Sequence, residues 1–102
     1  MPEFVRVMDI SELPPSGEAR EALCGERQIC IANSGDQLSA MDNVCPHRGG
    51  PLGQGIIEDG KLICPWHAWA FDIKTGQATH TPQAKVDVYE IKIAGSDVLV
   101  KL

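Results

Sequence analysis

The 102-residue chain has no apolar run that approaches the ~18–20 residues needed to span a membrane. Hydrophobic residues make up 43% of it and charged residues 23%, which is ordinary for a globular protein. Its first ten residues, MPEFVRVMDI, alternate apolar and polar positions and lack the basic-then-apolar layout of a secretion signal. These absences predict a soluble, cytoplasmic protein with no membrane partner.

Positive charge is also scarce. Nine Lys and Arg residues face fourteen Asp and Glu residues, so the formal net charge is −5 at pH 7. A protein that binds nucleic acid needs a basic stripe to neutralise phosphates, so we expect no nucleic-acid partner. An acidic surface suits docking onto a basic patch of another protein instead.

The four cysteines do not indicate a disulfide framework, because such frameworks belong to secreted chains. Cys24 and Cys30 lie in apolar surroundings, where a free cysteine packs as a small hydrophobe. Only Cys45 and Cys64 have a histidine close behind them. The first pair is therefore expected in the core, and the second pair is a candidate for chemistry.

Short β-prone runs separated by turn signals dominate the chain. The runs are FVRVMDI, RQICIAN, QLSAMDNV, GIIED, KLIC, AFDI, VDVYEIKI and DVLVKL. Asp59-Gly60 is a hairpin signal, and residues 16–25 are interpreted as an irregular strand despite their helix-favouring composition. The pattern predicts one all-β domain over residues 1–102, a mostly antiparallel sandwich or barrel.

Two Cys/His pairs fall where predicted strands end. They are Cys45-x-His47 and Cys64-x-x-His67, separated by residues 48–63. The predicted hairpin returns the chain from the first loop to the second, so the two loops should face each other at one end of a sheet. Two thiolates and two imidazoles suit zinc or an iron–sulfur cluster.

The spacing bears on this choice of metal. Zinc knuckles usually space their cysteines as C-x(2–4)-C and hold the histidines on a helix. A single residue between Cys45 and His47 makes it awkward to wrap one tetrahedral ion. A two-metal cluster relieves the problem, because the cysteines can bind one metal and the histidines the other.

The pattern C-x-H-x16-C-x-x-H resembles that of Rieske [2Fe–2S] proteins, in which two histidines replace two cysteines on one iron. Residues 45–77 and the tail 89–102 are similar to bacterial Rieske-type ferredoxins. The resemblance implies a Rieske-like antiparallel β-sandwich or barrel with a small cluster-binding subdomain, about residues 44–72, formed by the two loops. It implies one [2Fe–2S] cluster held by Cys45, His47, Cys64 and His67.

The resemblance also implies a function. Such a ferredoxin is a soluble one-electron carrier that takes electrons from an NAD(P)H-dependent flavin reductase and passes them to a terminal oxygenase. It is not itself an enzyme, so we expect no catalytic residue and no small-molecule substrate. Two alternatives remain: a small Rieske-like subunit of an assimilatory nitrite reductase, and a structural zinc domain for protein–protein contact.

The chain departs from the Rieske subunits of respiratory and photosynthetic complexes at three places. Gly50 and Trp66 stand where those proteins have a disulfide, and Trp69 stands where they have a serine that hydrogen-bonds a sulfide. Fewer hydrogen bonds to sulfur predict a potential in the lower part of the about −150 to +300 mV Rieske range.

Other residues near the motif have mechanical interpretations. Pro46 and Pro65 should stiffen the loops, because proline restricts φ. Two further groups of residues each have two interpretations. The glycines either let the backbone approach sulfide or simply make turns, and they are Gly49, Gly50, Gly53 and Gly55. The aromatic residues either shield the cluster or simply pack, and they are Trp66, Trp69 and Phe71.

Overall fold

The computed structural model describes residues 4–24, 27–35, 37–44, 50–66, 69–79 and 84–101. The strands in these segments are Phe4–Asp9 (β1), Ala19–Cys24 (β2), Arg27–Asn33 (β3), Leu38–Asp42 (β4), Ile56–Glu58 (β5), Lys61–Ile63 (β6), Ala70–Asp72 (β7), Val88–Ala94 (β8) and Asp97–Lys101 (β9). Two short 3₁₀ turns, Ile10–Glu12 and Leu52–Gln54, complete the set. Neither turn is long or apolar enough to cross a membrane, and the described segments contain no other helix.

The strands form two antiparallel sheets. One has six strands in the order β1-β9-β8-β4-β3-β2, and its outer strands β1 and β2 contact each other, so the sheet is nearly closed into a barrel. The other has three strands in the order β5-β6-β7. The prediction of an all-β antiparallel barrel or sandwich is confirmed, and so is the strand within residues 16–25.

Strand β3 explains how the two sheets pack. Alternate side chains of a strand point to opposite faces. Ile29 and Ile31 pack on one face, whereas Cys30 and Ala32 pack on the other, and all four are fully buried. Both faces of β3 are covered by other parts of the protein, which explains why its sequence is an almost continuous apolar run.

Each face has its own core. The barrel core lies inside the six-stranded sheet and consists of Met8, Ala22, Ile29, Ile31, Ala40, Val98 and Val100. The site core lies between that sheet and the small sheet and consists of Cys30, Ala32, Met41, Leu52, Ile57, Leu62, Cys64, Phe71, Ile73, Ala78 and Val86. One predicted ligand, Cys64, is part of the site core.

The β5–β6 hairpin has the predicted turn. Asp59 and Gly60 both have positive φ, 51° and 74°, between the paired residues Glu58 and Lys61. Two successive residues with positive φ are the requirement of a type I′ turn, whose twist matches that of the flanking strands. Strand β6 ends at Ile63, so the hairpin leads directly into Cys64.

Candidate metal centre

The first ligand loop, residues 44–51, is closed by backbone pairing. Val44 and Pro51 form an isolated antiparallel bridge, and one residue further out the Leu52 N–H donates to the Asn43 carbonyl at 2.8 Å. Cys45 and His47 belong to this loop in sequence but lie outside the described residues. The structure thus positions both ends of the loop.

The second ligand loop, residues 64–69, is closed in the same way. The Cys64 N–H donates to the Trp69 carbonyl at 2.7 Å, and the flanking residues Ile63 and Ala70 are paired between β6 and β7. His67 lies outside the described residues. Cys64 is therefore the one predicted ligand that the structure places, at the end of β6 as the sequence predicts.

The two loops meet at Gly50. A Cβ atom at this buried position would lie 3.0 Å from the Cys64 Sγ and 3.0 Å from the Cγ of Trp66. Such contacts are tighter than nine in ten real Cβ contacts, so a side chain here would shift the sulfur or the indole by a few tenths of an ångström, whereas glycine leaves both in place. The prediction that the loops face each other is confirmed for their described parts.

These observations fit a group that is held by sulfur. The Cys64 residue is only 1% exposed, and the backbone of the opposite loop approaches its sulfur closely at Gly50. A buried thiolate requires a cation or hydrogen bonds to offset the loss of solvation. The donor set of two cysteines and two histidines supplies soft ligands for an iron–sulfur cluster or zinc.

The aromatic residues near the second loop differ in burial. Phe71 is fully buried in the site core, and Trp69 packs against that core with its ring centroid 6.3 Å from that of Phe71. Trp66 is 48% exposed beside Gly50. Ordinary packing therefore accounts for Phe71 and Trp69, whereas Trp66 covers the junction of the two loops.

Two more of the candidate glycines, Gly53 and Gly55, lie directly against other parts of the chain. A Cβ at Gly53 would overlap the Cγ of Glu21 and lie 2.7 Å from the Oδ1 of Asn43. A Cβ at Gly55 would overlap the carbonyl oxygen of Ile63. Both positions require glycine because neighbouring chain segments pack directly against their Cα atoms.

Sequence reasoning missed Asn43, which is 1% exposed and immediately precedes the first ligand loop. Its Oδ1 accepts the Gly53 N–H at 2.7 Å, and its Nδ2 donates to the Oε2 of Glu21 at 2.7 Å. The one sequence signal was an asparagine at the end of an apolar strand, adjoining the motif.

Tyr89 is a second residue that no sequence pattern singles out. Its hydroxyl donates to the Oδ1 of Asp42 at 2.6 Å, which ties β8 to the end of β4 that leads into the first loop. Burial raises the pKa of Tyr89 to about 12, and the hydrogen bond with Asp42 adds to this effect. The Arg27 guanidinium lies 5.8 Å from the tyrosine ring centroid.

The two cysteines outside the motif, Cys24 and Cys30, are both expected from the sequence to pack in the core, and the structure confirms this for Cys30. Cys30 is fully buried in the site core, and burial, with Glu21 as a second cause, raises its thiol pKa to about 12. Cys24 is half-buried at the end of β2. Neither is in a disulfide, so Cys30 is the packed hydrophobe that the sequence predicts.

A family comparison identifies the centre. Residues 3–92 match the Rieske [2Fe–2S] domain. The chain belongs to this family. The cofactor of the Rieske domain is one [2Fe–2S] cluster, so the family decides between the two metal interpretations in favour of the cluster.

Similar proteins of comparable length are ferredoxin components. The Rieske domain is 30% identical over 99 residues to the ferredoxin component of an alkene monooxygenase system from Xanthobacter autotrophicus, covering 96% of this chain and 80% of that one. It is 35% identical over 86 residues to an anthranilate 1,2-dioxygenase ferredoxin subunit from Burkholderia cepacia, covering 83% and 80%. Ferredoxin components are electron-transfer subunits rather than catalytic enzymes.

Other relatives are much longer. The chain spans only 20% of the vanillate O-demethylase oxygenase subunit of a Pseudomonas species, with 36% identity over 67 residues that make up 66% of this chain. The Rieske domain thus occurs both in small ferredoxins and as a part of larger proteins.

Solved structures confirm the fold. The ferredoxin in a complex of reduced oxygenase and oxidised ferredoxin of carbazole 1,9a-dioxygenase superposes with a TM-score of 0.81 and 25% identity, covering 96% of this chain and 92% of that one. A putative NADH-dependent nitrite reductase small subunit from Mycobacterium tuberculosis has a TM-score of 0.88 at 20% identity, covering 100% and 96%. The second likeness, at this identity, concerns the fold alone.

Proposed function

We propose that this Rieske domain is a cytoplasmic one-electron carrier that takes electrons from an NAD(P)H-dependent flavin reductase and delivers them to a terminal oxygenase. The observation that carries the proposal is the similarity to ferredoxin components, which extends over nearly the whole chain and most of theirs. The carbazole dioxygenase complex supports an oxygenase as the acceptor, because a similar ferredoxin is bound there to one.

In this proposal the whole chain, residues 1–102, is a single Rieske domain with a cluster-binding subdomain at about residues 44–72. Its ligands are Cys45, His47, Cys64 and His67. When bound, the [2Fe–2S] cluster accepts and gives up one electron. The two closed loops support this assignment, because their described parts meet where Gly50 lies against Cys64 and Trp66.

The chain's own contribution is a preorganised and water-poor site. Cys64 is held by a backbone hydrogen bond inside the site core, and Gly50 and Trp66 close the junction above it. A carrier benefits from ligands that stay in place in both oxidation states, since reorganisation would slow the transfer. Closure by backbone pairing at both loops meets this requirement.

The histidines set the charge of the site. As neutral ligands, His47 and His67 leave the oxidised centre with no net charge, whereas two further thiolates would add two negative charges. An electron is added more readily to a neutral site, so histidine ligation raises the potential relative to an all-cysteine site.

The first test is compositional and spectroscopic. Freshly isolated protein should contain iron and acid-labile sulfide in equal amounts, be red-brown when oxidised, and give a reduced EPR spectrum whose average g-value is below that of plant-type ferredoxins. A colourless protein with one zinc per chain and no labile sulfide would refute the carrier function.

The second test concerns the ligands. If a cluster still assembles, His47→Cys should lower the reduction potential, because an anionic ligand replaces a neutral one. His80→Cys is the matched control, since His80 lies outside the motif, and its potential should equal that of the wild type. A potential in His47→Cys that is unchanged or higher contradicts the charge argument.

The third test concerns the partners. Reduced protein should be reoxidised by a terminal oxygenase of the aromatic-ring-hydroxylating type, and a flavin reductase with NAD(P)H should reduce it again. The alternative, a fixed small subunit of a nitrite reductase, has support only from the likeness of fold. Co-purification in a stable complex with a sirohaem protein, without transfer to any oxygenase, would favour that alternative.

A further inference from the structure

Asn43 connects the two ends of the first ligand loop. Its backbone carbonyl accepts from Leu52 at 2.8 Å, and its side-chain Oδ1 accepts from Gly53 at 2.7 Å. Its backbone N–H donates to the Gln28 carbonyl on β3 at 3.3 Å. One residue before the loop thus contacts two consecutive residues after it, through backbone and side chain together.

Glu21 fixes the orientation of the Asn43 amide. A carboxylate can only accept, so Nδ2 of Asn43 must face Oε2 of Glu21, at 2.7 Å, and Oδ1 must face the Gly53 N–H. The other carboxylate oxygen of Glu21 accepts from Nε2 of Gln54 at 3.0 Å. The carboxylate therefore joins the residue before the loop to the turn after it.

Gly53 is the third part of this arrangement. A side chain there would overlap Glu21 and crowd the Oδ1 of Asn43, so no other residue lets the three groups approach. Asn43 is buried, and a buried polar group left without its partners loses its solvation with nothing to replace it. The arrangement is consequently a strong local constraint on the loop ends.

We propose that Glu21, Asn43 and Gly53 form a polar clamp that holds the two ends of the first ligand loop together, with Glu21 and Asn43 as positioning residues for the cluster ligands on that loop. The inference rests on the proposed function, because the loop contains the ligands Cys45 and His47. The clamp braces the loop against the six-stranded sheet, since Glu21 lies on β2 and the Asn43 backbone N–H donates to Gln28 on β3.

A donor–acceptor exchange tests the clamp. Asn43→Asp removes the group that donates to Glu21 and places two carboxylates together. Adding Glu21→Gln restores the pairing, because the glutamine amide donates to Asp at 43 and its oxygen still accepts from Gln54. The rate of cluster bleaching by excess chelator and the EPR spectrum are measured for every variant in the same buffer.

Asn33→Asp is the matched control. Asn33 lies at the opposite end of β3 and makes the same two kinds of hydrogen bond, from Nδ2 to the Pro14 carbonyl at 2.9 Å and from the Gly35 N–H to Oδ1 at 2.8 Å. Its variant should lower Tm without changing the bleaching rate or the EPR spectrum.

We expect the Asn43→Asp cluster to bleach about tenfold faster with a broadened EPR spectrum, and the double variant to return close to the wild type. Bleaching of Asn43→Asp at the wild-type rate with an unchanged spectrum, or a double variant no better than the single one, overturns the clamp alone. Should Asn43→Asp fail to fold, Glu21→Ala decides by the same readouts. Wild-type protein without iron and sulfide overturns the proposed function and the clamp together.

Discussion

At the scale of single residues, a few residues near the metal centre position its loops through one or two contacts each. Gly50 leaves space for the Cys64 sulfur and the Trp66 indole. Tyr89 ties β8 to Asp42, three residues before Cys45. None of these partners is adjacent in sequence, so each contact fixes a loop end against a different part of the fold.

Tyr89→Phe should lower the free energy of unfolding by about 1 kcal/mol, because it removes one hydrogen bond to a carboxylate at a partly exposed position. Urea unfolding at about pH 7 measures the loss. An unchanged free energy of unfolding would show that the hydroxyl contributes nothing to stability.

The same bond predicts a pH dependence. The pKa of Tyr89 is raised from 10.0 to about 12, so the folded protein holds this proton more tightly than the unfolded chain does. The stabilisation is complete below pH 10 and is lost as pH rises from 10 toward 12. The stability gap between wild type and Tyr89→Phe should therefore shrink over this range. The chain has one tyrosine, so the ultraviolet titration of tyrosinate reports Tyr89 alone.

At the scale of elements, the β5–β6 hairpin determines where the second ligand loop begins. Its strands have only three residues each, so the turn geometry sets the register that places Cys64. Gly60 has φ 74° and nothing lies within 4 Å of an added Cβ. The requirement for glycine at this turn is thus conformational rather than steric.

Gly60→Ala should cost about 1–2 kcal/mol, the penalty of a left-handed conformation for a residue with a Cβ. Gly95→Ala is the control of the same kind, since Gly95 has φ 64° and open space in the β8–β9 turn. Both should lower Tm similarly, whereas Gly55→Ala should lower it further because its Cβ overlaps the backbone at Ile63. A Gly55→Ala protein as stable as Gly60→Ala would contradict the close packing of that strand entry.

At the scale of the whole molecule, the described residues form two separate hydrophobic cores, and only one of them contains a proposed ligand. The barrel core is built from β1, β2, β3, β4 and β9 and contains no predicted ligand. The site core contains Cys64 and takes most of its residues from the chain after the first ligand loop. Loss of the cluster should therefore affect the two cores unequally.

Removal of the cluster by chelation should speed amide hydrogen exchange in residues 50–66 by about tenfold or more, while β9 and β1 keep most of their protection. Exchange measured by mass spectrometry on the loaded and the stripped protein tests this. Equal loss of protection in both regions would mean that the two cores unfold as one unit.

Net charge also belongs to this scale. With a net charge of −5, docking onto a basic partner should weaken as salt shortens the Debye length from about 30 Å at 0.01 M to about 3 Å at 1 M. The bimolecular rate of electron transfer to the oxygenase, measured by stopped flow, should fall over this range. A rate that is independent of salt would show that electrostatic attraction does not steer the docking.

The type of metal site, the antiparallel strands and the hairpin turn could be predicted from local patterns in the sequence. The spacing of Cys45, His47, Cys64 and His67 indicates a soft metal site, because ligand chemistry depends on residue type and short separations. The antiparallel strands and the Asp59-Gly60 turn follow from alternation and from turn chemistry, which are also local.

Only the tertiary structure decided the rest. Asn43 meets Glu21 across 22 residues of sequence, and Gly50 meets Trp66 from another loop, so no local pattern encodes either contact. The burial of both faces of β3 likewise depends on the small sheet that folds over it. Side-chain chemistry indicated a soft metal site, whereas contacts between distant segments determined how the loops of that site are braced.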